Sequence, residues 1–231
     1  MSLDTSNHGL WSHYQTDQPE VFADSRNRLD HLIRRAEKLS AGRTLLNIGC
    51  GDGYLELTAR QRKWKVMSVD PDRKSVERLK GLGIDARCAR IEGLPMGAES
   101  VDVVICTEVF EHLTPETLDT GLDQIKRVLK PGGLLIGTVP YRENLAVSTV
   151  FCPDCRKSFH RWGHLQSFDE SAMQTIIGRH LQVKNVAPVY LPAWRAADWK
   201  GKLSMFARLV FSWIGVHSKE SNLLFVAARP S

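Results

Sequence analysis

Four stretches of this sequence hold residues whose types and spacing could do chemistry. The first is Asn47-Ile-Gly49-Cys-Gly51-Asp-Gly53. Its alternating glycines permit a tight turn and let a ligand come close to the backbone. The second is Asp70-Pro71, at the end of the apolar run Lys65–Val69. A carboxylate at such a strand tip can accept hydrogen bonds from both hydroxyls of a ribose. The third is Thr107-Glu108-Val-Phe-Glu111-His112, which offers a histidine able to take a proton near neutral pH, beside a carboxylate that could do the same. The fourth is Cys152-Pro-Asp-Cys155 followed by His160 and His164.

That last stretch supports three readings. Two thiolates on a C-x2-C turn and two imidazoles four residues apart, able to share a helical face, could hold one structural zinc ion and order an irregular loop. A metal-free loop is the second reading, with His164 leading into the next helix. A redox or catalytic dithiol is the third.

The elements that must position these groups alternate. Strand patterns occupy 44–48, 65–69, 84–88, 101–106 and 133–139, with helix patterns between them. The clearest helix puts Leu118, Leu122, Ile125 and Leu129 on one face, with Thr114 as its N-cap and Pro115 in its first turn. Such alternation implies a parallel sheet covered on both faces. A helix pattern over 19–39 precedes it. The tail adds a helix near 171–180, two strand-like runs and the amphipathic segment 199–215, with Leu203, Phe206, Val210 and Trp213 near helical spacing. That segment reads either as a helix capping the core or as a cationic helix lying on a membrane or over a pocket.

A glycine loop at the end of the first strand of a wound sheet is where nucleotides bind. The dinucleotide fingerprint G-x-G-x-x-G is absent, because the glycines fall at 49, 51 and 53 and Tyr54 takes the last small position. The Gly-Lys-Ser/Thr ending of a phosphate loop is absent too. Glycine loop and Asp70 together read as a site for an adenosine-type ligand without a tightly held phosphate.

At this point the chain resembles a family. "LLNIGCGDGYLE", "VMSVDPD", "IEGLPMGAESVDVVICTEVFEHL" and "RVLKPGGLLIGTVP" are similar, in order and spacing, to the motifs of class I S-adenosylmethionine-dependent methyltransferases, nearest the small-molecule group called type 11. The resemblance implies one α/β Rossmann-like domain over 1–231: a mostly parallel seven-stranded sheet with helices on both faces and an antiparallel C-terminal strand. Within it, 1–43 would be a helical cap, 44–140 the cofactor core, 141–168 the acceptor loop and 169–231 the end of the sheet. It implies S-adenosyl-L-methionine as cofactor. Gly49, Gly51 and Gly53 would pass under its methionine and ribose, and Asp70 and Pro71 would meet the ribose. Ile91 and Glu92 would contact the adenine, Thr107 and Glu108 would line the methionine end, and Trp11 and Tyr14 would close over it. Asn47 stands where the family usually has an acid, so its contact to the cofactor's ammonium lacks charge assistance. Glu111 and His112 are the candidate proton acceptors.

The bulk numbers narrow the partners. Net charge is +5, which mildly favours anionic partners but is far from a clustered basic stripe. The sequence shows neither a secretory leader nor an apolar run long enough to cross a membrane, so a cytoplasmic location is expected. The Pro-Pro-Tyr and Pro-Cys signatures of DNA base methylation are missing, so DNA is not an expected partner. The preferred function is O-methylation of a small molecule, a sugar or a lipid-linked intermediate, with peripheral membrane contact through 199–215. The alternatives are an RNA-modifying enzyme, from the basic Arg156, Lys157 and Arg161, and a non-catalytic cofactor-binding or zinc-stabilised module.

Overall fold

The computed structural model of the protein describes residues 25–192, 198–213, 216 and 221–231. Strands β1 (Thr44–Ile48), β2 (Lys65–Asp70), β3 (Asp85–Cys88), β4 (Val101–Thr107), β5 (Leu129–Pro140), β8 (Gln182–Val189) and β9 (Asn222–Ala228) form one sheet in the order β3-β2-β1-β4-β5-β9-β8. β1 to β5 pair in parallel, and β9 runs antiparallel to both of its neighbours. This is the Rossmann-like arrangement expected from the motifs. The strand order reverses at β1, so a crevice opens beyond the carboxyl ends of β1 and β4.

Burial on both faces explains why the central strands are apolar without a break. Leu45, Val103 and Ile105 face α1 (Arg26–Leu39) and α2 (Tyr54–Gln61), packing with Leu32, Ile33 and Ala59. Their neighbours Leu46, Val104 and Cys106 point the other way, to the face covered by α4 (Pro115–Val128) and α5 (Glu170–Gly178). α3 (Arg73–Gly81) seals the β2–β3 edge with Val76 and Leu79. In α4 the Thr114 hydroxyl accepts the Thr117 N–H at 3.3 Å, Pro115 occupies the first turn, and Leu118, Leu122 and Ile125 are buried. Each such side chain contributes about 1.5–3 kcal/mol. The helix ends at Val128, and the Pro131-Gly132-Gly133 segment expected to follow it lies within β5.

Residues 141–168 leave the sheet and come back. Tyr141 bridges Phe168, and the Arg142 N–H donates to the Phe168 carbonyl at 2.9 Å, so the excursion is closed at its base. It carries its own hairpin, β6 (Thr149–Phe151) with β7 (Ser158–His160). The described part of the C-terminal amphipathic segment forms α6 (Trp199–Trp213). Its apolar stripe does not cap the core: Trp199, Leu203 and Phe206 are 71%, 64% and 56% exposed. No helix among the described residues is long and apolar enough to cross a membrane.

Candidate active site

A cavity of about 530 Å³ opens at the carboxyl ends of β1, β2 and β4. One wall is the glycine loop. Gly49, Gly51 and Gly53 have φ of +86°, +49° and +86°, a region that favours glycine. Gly49 and Gly51 line the cavity. Gly53 does not; it turns the chain into α2, where a side chain would meet Leu79. Asp70 is 3% exposed and ties the wall together, accepting the Cys50 N–H at 2.9 Å and the Asp72 N–H at 2.8 Å. An ionised carboxylate has about four lone-pair sites, so capacity remains for ligand hydroxyls.

Behind the loop lies a buried polar cluster that the sequence concealed. Asn47 Nδ2 and Ser68 Oγ both donate to Glu56 Oε1 at 2.7 Å. Glu56 has no exposure, and burial pushes its carboxyl up to about 7 against the pull of those hydrogen bonds. Asn47 Oδ1 is buried at the cavity and has no hydrogen-bond partner among the described residues, which leaves an acceptor for the ammonium that the resemblance places there. An acid at the first turn of a helix looks like an exposed macrodipole partner, so no sequence signal marked Glu56.

Where the resemblance puts the adenine, Ile91 is buried and lines the cavity with Pro71 and Glu92. Glu92 Oε1 accepts from Arg90 Nε at 2.7 Å, so that oxygen is engaged within the protein. At the tip of β4, Thr107 and Thr138 share a hydrogen bond of 2.6 Å between their hydroxyls, and Thr138 donates to Glu108 Oε1 at 2.9 Å. Asn222 Nδ2 donates to the same oxygen at 3.1 Å. Glu108 holds φ at +54°, an uncommon conformation for a side-chain-bearing residue and one that clusters at functional sites.

The opposite end of the cavity is lined by Glu111, His112, Glu143, Trp162 and His164. Burial, then the charge of Glu108, pushes the Glu111 carboxyl well above the usual range. Burial, then His164, pulls His112 down to about 3, so it is neutral at physiological pH and a feeble base. Glu143 was missed in the sequence because it sits in no motif, and Trp162 because nothing marks it between His160 and His164; the excursion brings both here. Trp11 and Tyr14 lie outside the described residues.

The proposed zinc quartet does not assemble. Cys152 and Cys155 occupy the tip of the β6–β7 hairpin, whereas His160 pairs with Thr149 at its base. Two residue pairs at about 3.3 Å per residue separate the thiols from the imidazole along the strands. Among the described residues, no cluster with metal-ligand spacing includes either cysteine. His160 ends a strand rather than sharing a helical face with His164; a turn at Gly163, φ +72°, stacks the two rings 4.6 Å apart.

The sequence matches the methyltransferase domain family over residues 46–137. A probable S-adenosylmethionine-dependent methyltransferase of Mycolicibacterium smegmatis is 32% identical over 118 residues, 50% of this chain and 45% of that protein. The ubiquinone biosynthesis O-methyltransferase of Bradyrhizobium sp. (strain ORS 278) is 29% identical over 175 residues, 69% of this chain and 67% of that protein. The chain spans about half the length of the first curated relatives it matches, 45% and 48%. Among solved structures, the N-methyltransferase NodS from Bradyrhizobium japonicum WM9, in complex with S-adenosyl-L-homocysteine, superposes with a TM-score of 0.66 at 20% identity, covering 99% of this chain and 100% of that one. The glycine loop, the Asp70 tip and the 3-2-1-4-5-9-8 strand order agree with these matches: residues 46–137 match the methyltransferase domain family, and the chain has the fold of these enzymes.

Proposed function

We propose that the protein transfers a methyl group from S-adenosylmethionine to an oxygen of a small, lipid-borne acceptor. The observation that carries this reading is the single cavity that joins the glycine loop and Asp70 at one end to Glu111, His112 and His164 at the other. The cofactor, when bound, supplies an already electrophilic methyl. The chain's own task is then to align the acceptor, exclude water and receive a proton. Asp70 would hold the ribose and Asn47 Oδ1 the ammonium. Glu111 and His112 face the acceptor end, and Glu111, with its raised proton affinity, is the better proton acceptor of the two. The acceptor's oxygen–carbon bond forms as the sulfur–carbon bond breaks, and the hydroxyl proton passes to that carboxylate.

Oxygen is preferred because the Bradyrhizobium relative, matched over 69% of this chain, is an O-methyltransferase. A lipid-borne acceptor is preferred because α6 presents Trp199, Leu203, Phe206 and Val210 to solvent at helical spacing, with Lys200 and Lys202 beside them. The test is a panel of phenolic, carboxylic, amine and structured-RNA acceptors, each with release of S-adenosylhomocysteine measured. Turnover with hydroxyl acceptors, rising when they carry an isoprenoid or acyl chain, is expected. Turnover with amines or RNA alone would overturn the acceptor class. Failure to bind S-adenosylhomocysteine in calorimetry would overturn the methyltransferase activity.

A further inference from the structure

We infer that Glu111, His112 and His164 form a binding site for a divalent first-row transition-metal ion at the acceptor end of the cavity, with Glu143 and His160 holding His164 in place. One ligand atom from each of the three lies within 4.8 Å of the other two. A second cluster of the same spacing, Glu143, His160 and His164, shares the His164 ring.

An independent observation points to a cation at this cluster. Glu111 is 1% exposed, it faces the cavity, and among the described residues neither of its carboxylate oxygens accepts a hydrogen bond. Buried carboxylates are normally paired, hydrogen-bonded or bound to metal, and an orphan asks for an explanation. A cation between Glu111 and the two imidazoles supplies one.

The hydrogen bonds around the cluster prepare the imidazoles as ligands. His112 Nδ1 lies 3.2 Å from the Gly163 carbonyl, which only accepts, so Nδ1 carries the proton and Nε2 the lone pair. His164 Nδ1 is hydrogen-bonded to Glu143 Oε2, which leaves its Nε2 to coordinate. The other Glu143 oxygen is 3.3 Å from His160 Nε2, and His160 Nδ1 accepts the His164 N–H at 3.1 Å. A carboxylate behind a ligating histidine is the arrangement that orients metal-bound imidazoles. The backbone fixes the rest: the Leu165 N–H donates to the Glu111 carbonyl at 2.7 Å, and Gln166 Nε2 to the Leu113 carbonyl at 2.7 Å. Residues more than fifty positions apart are thereby locked against each other before any ion arrives.

Two imidazoles with one carboxylate suit a transition ion better than magnesium or calcium, which favour oxygen donors. Placed here, the ion would hold the acceptor's oxygen and lower its proton affinity, so that the proton would pass to solvent as the acceptor binds, and Glu111 would serve as a ligand in place of the proton acceptor of the metal-free reading. That role rests on the methyl-transfer reading; the binding site does not.

Tag-free, chelator-treated protein should be titrated with Co²⁺, following its visible d–d absorption and metal stoichiometry by elemental analysis. Saturable binding of one ion per chain is expected. Glu111→Gln and Glu143→Gln should each weaken it by roughly 10–100-fold, while Cys152→Ser leaves it unchanged. Binding of S-adenosylhomocysteine by each variant checks the fold; should Glu111→Gln fail that check, His164→Asn takes its place. Absence of saturable binding overturns the proposal, as does binding that survives Glu111→Gln but is lost in Cys152→Ser. S-adenosylhomocysteine binding without Co²⁺ binding removes the ion and leaves the methyltransferase reading. Co²⁺ binding without S-adenosylhomocysteine binding does the reverse.

Discussion

The two ends of the cavity are built by different means. At the cofactor end, the groups that line the cavity sit at strand ends or on the short turns directly after them, and Asp70 is held by backbone N–H groups nearby and beside the adjacent strand tip. Asp70 bonds to Asp72 and to Cys50 across one strand spacing. At the acceptor end, Glu111 and His112 meet Glu143 and His164 because a closed excursion, pinned at Tyr141 and Phe168, folds back over them. The first end is fixed by the sheet. The second end depends on contacts across long sequence separations, such as Leu165 N–H to the Glu111 carbonyl and Gln166 to the Leu113 carbonyl.

The largest effect should come from breaking the cofactor end at its tie point. Asp70→Ala removes two backbone contacts and the acceptor proposed for the ribose hydroxyls. Charge-assisted hydrogen bonds contribute about 1.5–3 kcal/mol each, so affinity for S-adenosylhomocysteine should fall by roughly 100-fold or more in calorimetry. An unchanged affinity would remove Asp70 from the site. Co²⁺ binding at the other end should persist, because none of its ligands touches Asp70.

A smaller effect separates stability from binding at the same end. Glu56 has a folded-state carboxyl raised from 4.5 to about 7. Between those two values the folded protein holds a proton that the unfolded chain has released, so stability falls as pH rises through this window. Above it the loss levels off, at a ceiling of about 3 kcal/mol. Glu56→Gln keeps an oxygen for Asn47 and Ser68 and carries no charge. It should therefore raise stability by about 2 kcal/mol at pH 8 and by almost nothing at pH 4.5 in denaturant titrations. An equal gain at both pH values would show that the buried charge is not the cause.

Next in size is the surface beyond the acceptor end. Leu203→Asp with Phe206→Asp alters two exposed positions on α6, so stability should stay within about 0.5 kcal/mol. Co-sedimentation with vesicles containing anionic lipid should drop several-fold. If the parent protein shows no such co-sedimentation, the acceptor need not be carried on a membrane.

The same contrast explains what could be read in advance. The glycine positions, the Asp70 tip and the helix from Pro115 were legible because each rests on local rules: positive φ, strand ends, an N-cap followed by proline. The seven-stranded, mostly parallel sheet and its antiparallel C-terminal strand followed from the resemblance; the strand order came from the structure. The histidine pair was visible as residues, but its partners were not. The C-x2-C spacing drew His160 and His164 towards the cysteines, yet the hairpin register puts thiols and imidazoles at opposite ends. Glu143 and Glu56 carried no local signal, since one acid in a loop and one in a first helical turn both read as solvated. Only the tertiary fold reveals that they are buried against the site.

The smallest effect tests whether the cysteine turn belongs to either end. The N–H and side chain of Cys155, then the N–H of Asp154, hold the Cys152 thiol below its ordinary range. Cys155 is exposed at the same tip, and Cys50 and Cys106 are buried, where burial pushes both thiols up. Thiolate is the reactive form, so limited iodoacetamide at neutral pH should modify Cys152 ahead of the buried pair, as peptide mapping would show. The turn lines neither end of the cavity. Labelled protein should therefore bind S-adenosylhomocysteine and Co²⁺ within twofold of the untreated protein. A larger loss of Co²⁺ alone would bring the thiols back to the metal and detach the imidazoles from Glu111. A larger loss of S-adenosylhomocysteine alone would mean that the hairpin tip folds over the cofactor, and the acceptor end would then be less separate from the cofactor end than their construction implies.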